Sequence, residues 1–273
     1  MFTEPIIITV APNGAYKMGG NHPAAPLTAS SLATTAKACL DEGAAMLHLH
    51  IRDAQGNHSL DVQDYRDALN AVKKAVGNEM VLQITSEAAR VYQAPAQIAM
   101  VQALRPEAVS VALREIDHPE VGETGMTQFF SWLARERVIT QVILYDLADL
   151  QHWQDLCALG IVPDAPWFLM FVLGSHSVSH MSRPLDLVPF VQAHTGSEPW
   201  SMCAFGSMEH ACTTAAAALG GHTRVGFENN LLLKNGKPAP NNAALVHQMV
   251  QAASILGRPV ATAQDIRQRF SIA

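Results

Sequence analysis

Short runs of β-branched and other apolar residues alternate along the whole chain with longer stretches in which apolar positions recur at helical spacing. Apolar runs of four to eight residues bounded by turn formers read as strands buried on both faces, and strands that alternate with helices read as a parallel sheet. Strands are predicted at residues 5–11, 44–50, 80–85, 108–113, 138–145, 167–173, 200–205 and 223–228. Helices are predicted at 29–42, 61–76, 94–104, 126–136, 148–159, 185–194, 209–219 and 242–256. Several helix ends are legible: Thr28 stands where an N-cap belongs, and Gly43, Gly160 and Gly257 stand where a left-handed stop belongs.

Eight strands, each followed by a helix, predict closure into a (β/α)8 TIM barrel. An open doubly wound sheet is the rival, but no G-x-G-x-x-G follows the first strand. With no repeat, low-complexity tract or linker to divide it, the chain is expected to form one catalytic domain over 1–273. The Gly- and Pro-rich stretch 13–28 follows the first strand, so in a barrel it would lie over the active-site face.

The length of 273 residues suits such a barrel, and 49% apolar with 15% charged residues builds a large core rather than a disordered chain. A net charge of -6 without any run of Lys or Arg argues against nucleic acid or an anionic membrane as partner and leaves a small molecule. Cys39, Cys157, Cys203 and Cys212 lack paired spacing and read as reduced thiols. The N-terminus lacks the pattern of a secretory signal and no apolar run reaches the ~20 residues of a membrane span, so a cytoplasmic protein is expected.

Candidate chemistry begins at Leu47-His48-Leu49-His50-Ile51-Arg52-Asp53. Residues two apart in a strand point to the same side, so His48 and His50 project together at the strand's C-terminal end, where barrel active sites are built. Two imidazoles side by side make half of a zinc site, though one could equally pack in the barrel while the other caps a loop. Glu228 ends the eighth predicted strand, and alternate strands share the layers of a barrel, so its carboxylate can face the two histidines. Two His and one carboxylate suit a catalytic zinc with an open position; iron or manganese accepts similar ligands. The competing role for Glu228 is an ion pair with Arg224, four residues back. Arg52 and Asp53 are expected to pair and brace the loop. His176 and His180, after the sixth strand, are acid or base candidates, whereas His58, His118, His152, His194 and His210 fall in loops or helix faces and are expected to take no part.

The segments 9–15, 26–28, 48–53, 83–86, 171–174, 220–230 and 257–262 resemble the β-keto acid cleavage enzyme family over nearly the whole chain, His48-Leu49-His50-Ile51-Arg52 and Gly221-His222-Thr223-Arg224-Val225-Gly226-Phe227-Glu228 most specifically. The resemblance implies a retro-Claisen exchange in which a small β-keto acid and acetyl-CoA give acetoacetate and a new acyl-CoA. It implies Zn2+ on His48, His50 and Glu228, substrate-pocket hydroxyls at Thr85 and Ser110, an active-site guanidinium at Arg224, and a homotetramer. The departures concern the substrate. Where a lysine-fermentation member of the family has acidic residues in the first βα loop and the fifth strand, this chain has Tyr16 and Ile143, so an amine-bearing β-keto acid is not expected to be its substrate. Asn229 replaces an acidic residue linked there to general-base work and cannot titrate. Glu87-Ala88-Ala89 replaces the Gly-Gly of many relatives, making Glu87 either a candidate base or, as the blander reading, an exposed loop carboxylate. Two other classes stay open at this point: another metal-dependent barrel hydrolase or lyase, and a non-catalytic binding protein on the same scaffold.

Overall fold

The strands close into a barrel. A computed structural model describes residues 4–16, 22–174 and 181–270. Its elements are β1 (Ile8–Val10), α1 (Ala29–Asp41), β2 (Met46–Leu49), β3 (Ile51–Arg52), β4 (His58–Ser59), α2 (Val62–Val76), β5 (Val81–Thr85), α3 (Ala94–Leu104), β6 (Ala108–Ala112), α4 (Leu113–Ile116) and α5 (Gly122–Arg135). There follow β7 (Ile139–Leu144), α6 (Leu147–Ala158), β8 (Phe168–Leu173), a 3-10 turn (Pro184–Leu187), α7 (Val188–Ala193), β9 (Trp200–Ala204), α8 (Glu209–Ala218), β10 (His222–Val225), α9 (Asn242–Ile255) and α10 (Ala263–Arg269). The parallel barrel runs β1-β10-β9-β8-β7-β6-β5-β2 and back to β1, while β3 and β4 form a separate antiparallel ribbon.

Each predicted barrel strand is present, and the alternation within it explains the core. Leu47 and Leu49, Val109 and Val111, Val142 and Leu144, and Leu169, Phe171 and Leu173 join the main core with Tyr65, Phe130 and Trp153 of the surrounding helices. The residues between them face the barrel interior, where Ile139 and Phe168 close one end and Ala112, Ile143, Met170 and Val172 line the other. The predicted helix ends hold: Thr28 caps α1 through a capping box with Ser31, and Gly43, Gly160 and Gly257 take φ of 103°, 71° and 66°. The four cysteines are unpaired thiols. Among the described residues, no helix is long and apolar enough to cross a membrane.

Three expectations change. The eighth barrel strand stops at Val225 rather than reaching Glu228, because Gly226 adopts φ 139° with the Ala11 carbonyl oxygen only 2.3 Å from where a Cβ would sit. Glu228 therefore stands in a turn, its backbone N–H donating to the Ala11 carbonyl at 3.1 Å. The single helix predicted at 185–194 is a 3-10 turn followed by the short α7. The β3–β4 ribbon and the short helices α4 and α10 are additions; runs of two to seven residues give too little periodicity to read.

Candidate metal centre and active site

His48 lies in β2 and His50 one residue beyond its end, both fully buried in the barrel mouth. Their Nε2 atoms are 3.1 Å apart. Glu228 Oε2 completes the cluster, 3.3 Å from His48 Nε2 and 3.5 Å from His50 Nε2. Neighbouring residues hold the ring of His48 and the backbone of His50. His48 Nδ1 meets Gln83 Oε1 at 2.9 Å, and Gln83 Nε2 in turn donates to Gln141 Oε1. Asn13 brackets the backbone of His50, accepting its N–H on Oδ1 and donating from Nδ2 to its carbonyl and to that of Pro26.

That bracing decides what the cluster can hold. Because Gln83 presents an oxygen, Nδ1 of His48 carries a proton, and Nε2 is the nitrogen that faces the other two groups. Burial pushes the pKa of His50 down to about 3, outweighing the pull of Glu228, so its ring is neutral. Burial also disfavours an ionised Glu228, yet the Arg224 charge beside it prevails and holds the carboxyl well below the ordinary range. Two imidazole nitrogens and a carboxylate oxygen thus converge, a donor set that suits a divalent cation. Donors about 2.0 Å from a tetrahedral zinc ion stand about 3.3 Å apart, close to the three separations here. These three residues could hold one divalent ion, with a coordination position left open.

Arg224, on β10, does not compete with that arrangement. Its Nη2 donates to Glu228 Oε1 at 3.1 Å and to Cys203 Sγ at 3.3 Å, which leaves Oε2 for the histidines. One carboxylate can therefore make the ion pair and still offer an oxygen to a metal ion. A cavity of about 250 Å³ opens beside the cluster, and His48, Thr85, Ser110, Arg224 and Glu228 all line it. Among the described residues the Ser110 hydroxyl and Arg224 Nε are buried without a hydrogen-bond partner, whereas Thr85 Oγ1 already accepts from the Glu87 N–H. Asn229 is fully buried and is not part of the cavity wall. A larger cleft of about 440 Å³ at the other end of the barrel is walled chiefly by Leu133, Val138, Ile139, Trp167 and Phe270 and brings no comparable donors together.

Glu87 is not the exposed loop carboxylate expected. Its side chain is 23% exposed, lines the cavity and lies 3.8 Å from His50 Nε2. Burial, then the charges of Glu228 and Glu115, push its pKa up to about 8. What turns it inward is the anchoring of its segment: His58 Nε2 donates to the Glu87 carbonyl, Ala88 N–H to Glu115 Oε2, and Gln97 Nε2 to the Ser86 carbonyl. Ala89 and Arg90 follow in left-handed conformations, φ 47° and 61°. His58 is thereby a buried support of the site rather than a bystander. Arg52 and Asp53 do not pair as expected: Arg52 donates to the Gly14 carbonyl and Asp53 accepts from Gln55 and Asn57 N–H. His176 and His180 lie outside the described residues. Sequence reading missed Glu209, wholly buried at the start of α8. It accepts from Gly226 N–H at 3.1 Å and Asn230 Nδ2 at 3.2 Å, and so bridges both ends of the turn that carries Glu228.

Fold and site together define a (β/α)8 barrel with a buried two-histidine, one-carboxylate cluster in its mouth. Comparison with known proteins makes this specific. The pattern of the beta-keto acid cleavage enzyme family matches residues 5–272, and the chain belongs to that family of enzymes. It is 27% identical to the 3-keto-5-aminohexanoate cleavage enzyme of Acetoanaerobium sticklandii, covering 98% of this chain and 99% of that one. It is 26% identical to the 3-oxoadipate:acetyl-CoA acetyltransferase of Cupriavidus necator, covering 97% and 94%. Among solved structures, apo ObcA superposes with a TM-score of 0.73 at 18% identity, over 91% of this chain and 66% of that longer one. A type I 3-dehydroquinate dehydratase from Clostridium difficile gives 0.60 at 9% identity over 92% of each chain, a likeness of fold alone.

Proposed function

We propose that this chain exchanges acyl groups between a small β-keto acid and acetyl-CoA, releasing acetoacetate and a new acyl-CoA, with Zn2+ held by His48, His50 and Glu228. The observation that carries this reading is the convergence of two imidazole nitrogens and a carboxylate oxygen beside a cavity that also presents unpartnered donors at Ser110 and Arg224. A bound divalent ion would supply Lewis acidity toward the β-keto group. Arg224, fixed by Glu228 and Cys203, keeps Nε for a substrate carboxylate or a developing oxyanion, and Ser110 offers its hydroxyl to the same ligand. Thr85 contributes to the wall while bonded to the Glu87 backbone. Asn229 bonds within the turn that carries Glu228 through its backbone N–H to the Gly226 carbonyl, and its amide takes no proton.

The names of two relatives support the choice of reaction, one being a cleavage enzyme for a β-keto acid and the other pairing 3-oxoadipate with acetyl-CoA. The test is a coupled assay for acetoacetate and acyl-CoA over a panel of β-keto acids, run on protein whose metal content has been measured. Expected are about one ion per subunit and turnover with at least one acid. His48→Ala and Glu228→Ala should each lose the ion and lower kcat/KM by three orders of magnitude or more. Fully loaded protein that yields no acyl-CoA sinks the proposal. The resemblance also favours a homotetramer, which light scattering on the eluting protein would reveal.

A further inference from the structure

The cavity has two unlike sides. Around the barrel His48 and His50 belong to β2 and Glu228 follows β10, so the donor cluster is centred on β1, which lies between those strands. Half a turn around the closed strand order from β1 stands β7, flanked by β6 and β8. The cavity wall on that far side is made of Ala112 from β6, Ile143 from β7, Val172 from β8 and Phe205 just after β9. With Met170 and Cys203 these four pack as an apolar cluster distinct from the main core. Tyr145, just after β7, packs on the same cluster, and Glu115 of α4 follows β6 with its carboxylate accepting from the Ala88 N–H and Gln97 Nε2; the other charged residues of the cavity stand elsewhere, Glu87 and Arg90 on the segment after β5 and Arg224 with Glu228 beside the histidines.

Resting on the reaction proposed above, we infer that the substrate is a β-keto acid whose far end is a short uncharged hydrocarbon chain, lodged against Ala112, Ile143, Val172 and Phe205. A ligand whose keto and carboxylate groups sit at the donor cluster and Arg224 directs its remaining carbons across the mouth, toward this wall. Methylenes gain there about fourfold in affinity each as they leave water. An ammonium or a second carboxylate would lose its hydration against four apolar side chains with no counter-ion among them. Arg90 is an exposed cation at the rim, on the opposite side of the barrel axis from Val172 and Phe205, and does not neutralise that wall. The cavity volume of about 250 Å³ keeps the chain short. Ile143 selects against charge and Phe205 limits length.

The zinc-loaded enzyme would be compared with 3-oxohexanoate, 3-oxoadipate and 3-keto-5-aminohexanoate, each with acetyl-CoA. A kcat/KM at least tenfold higher for the uncharged acid is expected; parity or preference for either charged acid overturns the inference. Ile143→Glu should raise KM for 3-oxohexanoate and lower it for the amine, with metal content unchanged, and Phe205→Ala should move the optimum toward longer chains. An unchanged ranking in Ile143→Glu means that the chain does not rest on this wall. Calorimetric binding of the same three acids to the zinc-loaded protein reads the ranking without turnover. A protein that binds the uncharged acid preferentially yet makes no acyl-CoA would refute the reaction while leaving the inference standing, and a flat binding ranking would refute the inference whatever the reaction.

Discussion

Glu228 shows how much one side chain can be asked to do when its two oxygens are separately addressed: Oε1 holds Arg224 and Oε2 faces the histidines. Its position is also set by what is missing next to it. A Cβ on Gly14 would meet Glu228 Cγ at 2.7 Å, so Gly14→Ala should displace the carboxylate, weakening zinc retention against a chelator by on the order of tenfold while melting of the metal-free protein changes little. His222 offers a second test, on pH. Its Nδ1 accepts the Ile7 N–H at 3.0 Å, and burial pushes its pKa down to about 3. The unfolded chain takes up a proton below about pH 6.5 that the folded ring refuses, so this contribution is complete above pH 6.5 and is lost as pH falls toward 3. His222→Asn, which keeps an acceptor in place, should therefore lose about 2 kcal/mol less stability than the parent between pH 6.5 and 5 in denaturant titrations of metal-free protein. At this scale sequence reading was good where geometry is local. His48 and His50 follow from strand alternation alone, whereas the inward face of Glu87 depends on His58, Gln97 and Glu115, which no local pattern links to it.

The element that most needs explaining is the turn after β10. Gly226 bends the chain, Phe227 N–H donates to Asn242 Oδ1 at 2.8 Å, and the Glu209 carboxylate ties Gly226 to Asn230. Both Glu209 oxygens accept, which an amide cannot reproduce, and Asn230 cannot simply rotate because its Oδ1 and Nδ2 are already committed to Leu232. Glu209→Gln is expected to lower zinc affinity ten- to a hundredfold with the far-ultraviolet spectrum preserved. Gly226→Ala, which forces a methyl group against the Ala11 backbone, should instead destabilise the whole protein by more than about 1 kcal/mol. The barrel strands could be read from sequence because burial on both faces makes them continuous apolar runs. The turn could not: its shape comes from Glu209, Asn242 and Ala11, and the apolar Val225-Gly226-Phe227 invites an extension of the strand.

In the molecule as a whole the donor cluster sits across the seam where the barrel shuts, with β1, only three residues long, between β2 and β10. An ion bound there would join the two strands that flank the seam. At a free zinc concentration a thousandfold above the dissociation constant it would add about 4 kcal/mol. In a chain of this size that corresponds to a rise in Tm of roughly 10 °C, measurable by calorimetry of loaded and stripped protein. Equal Tm values would show that the ion does not bind preferentially to the folded barrel.

The same seam has a bearing on how the protein is made. His48 and His50 leave the ribosome early, but Glu228 follows only when most of the chain has been synthesised, and its carboxylate reaches them only after β10 has docked beside β1. A chain that stops short of Glu228 can offer two imidazoles, but not the three-donor cluster. An ion held by all three donors would therefore mark molecules in which β10 has docked and the barrel has closed, before any substrate is present.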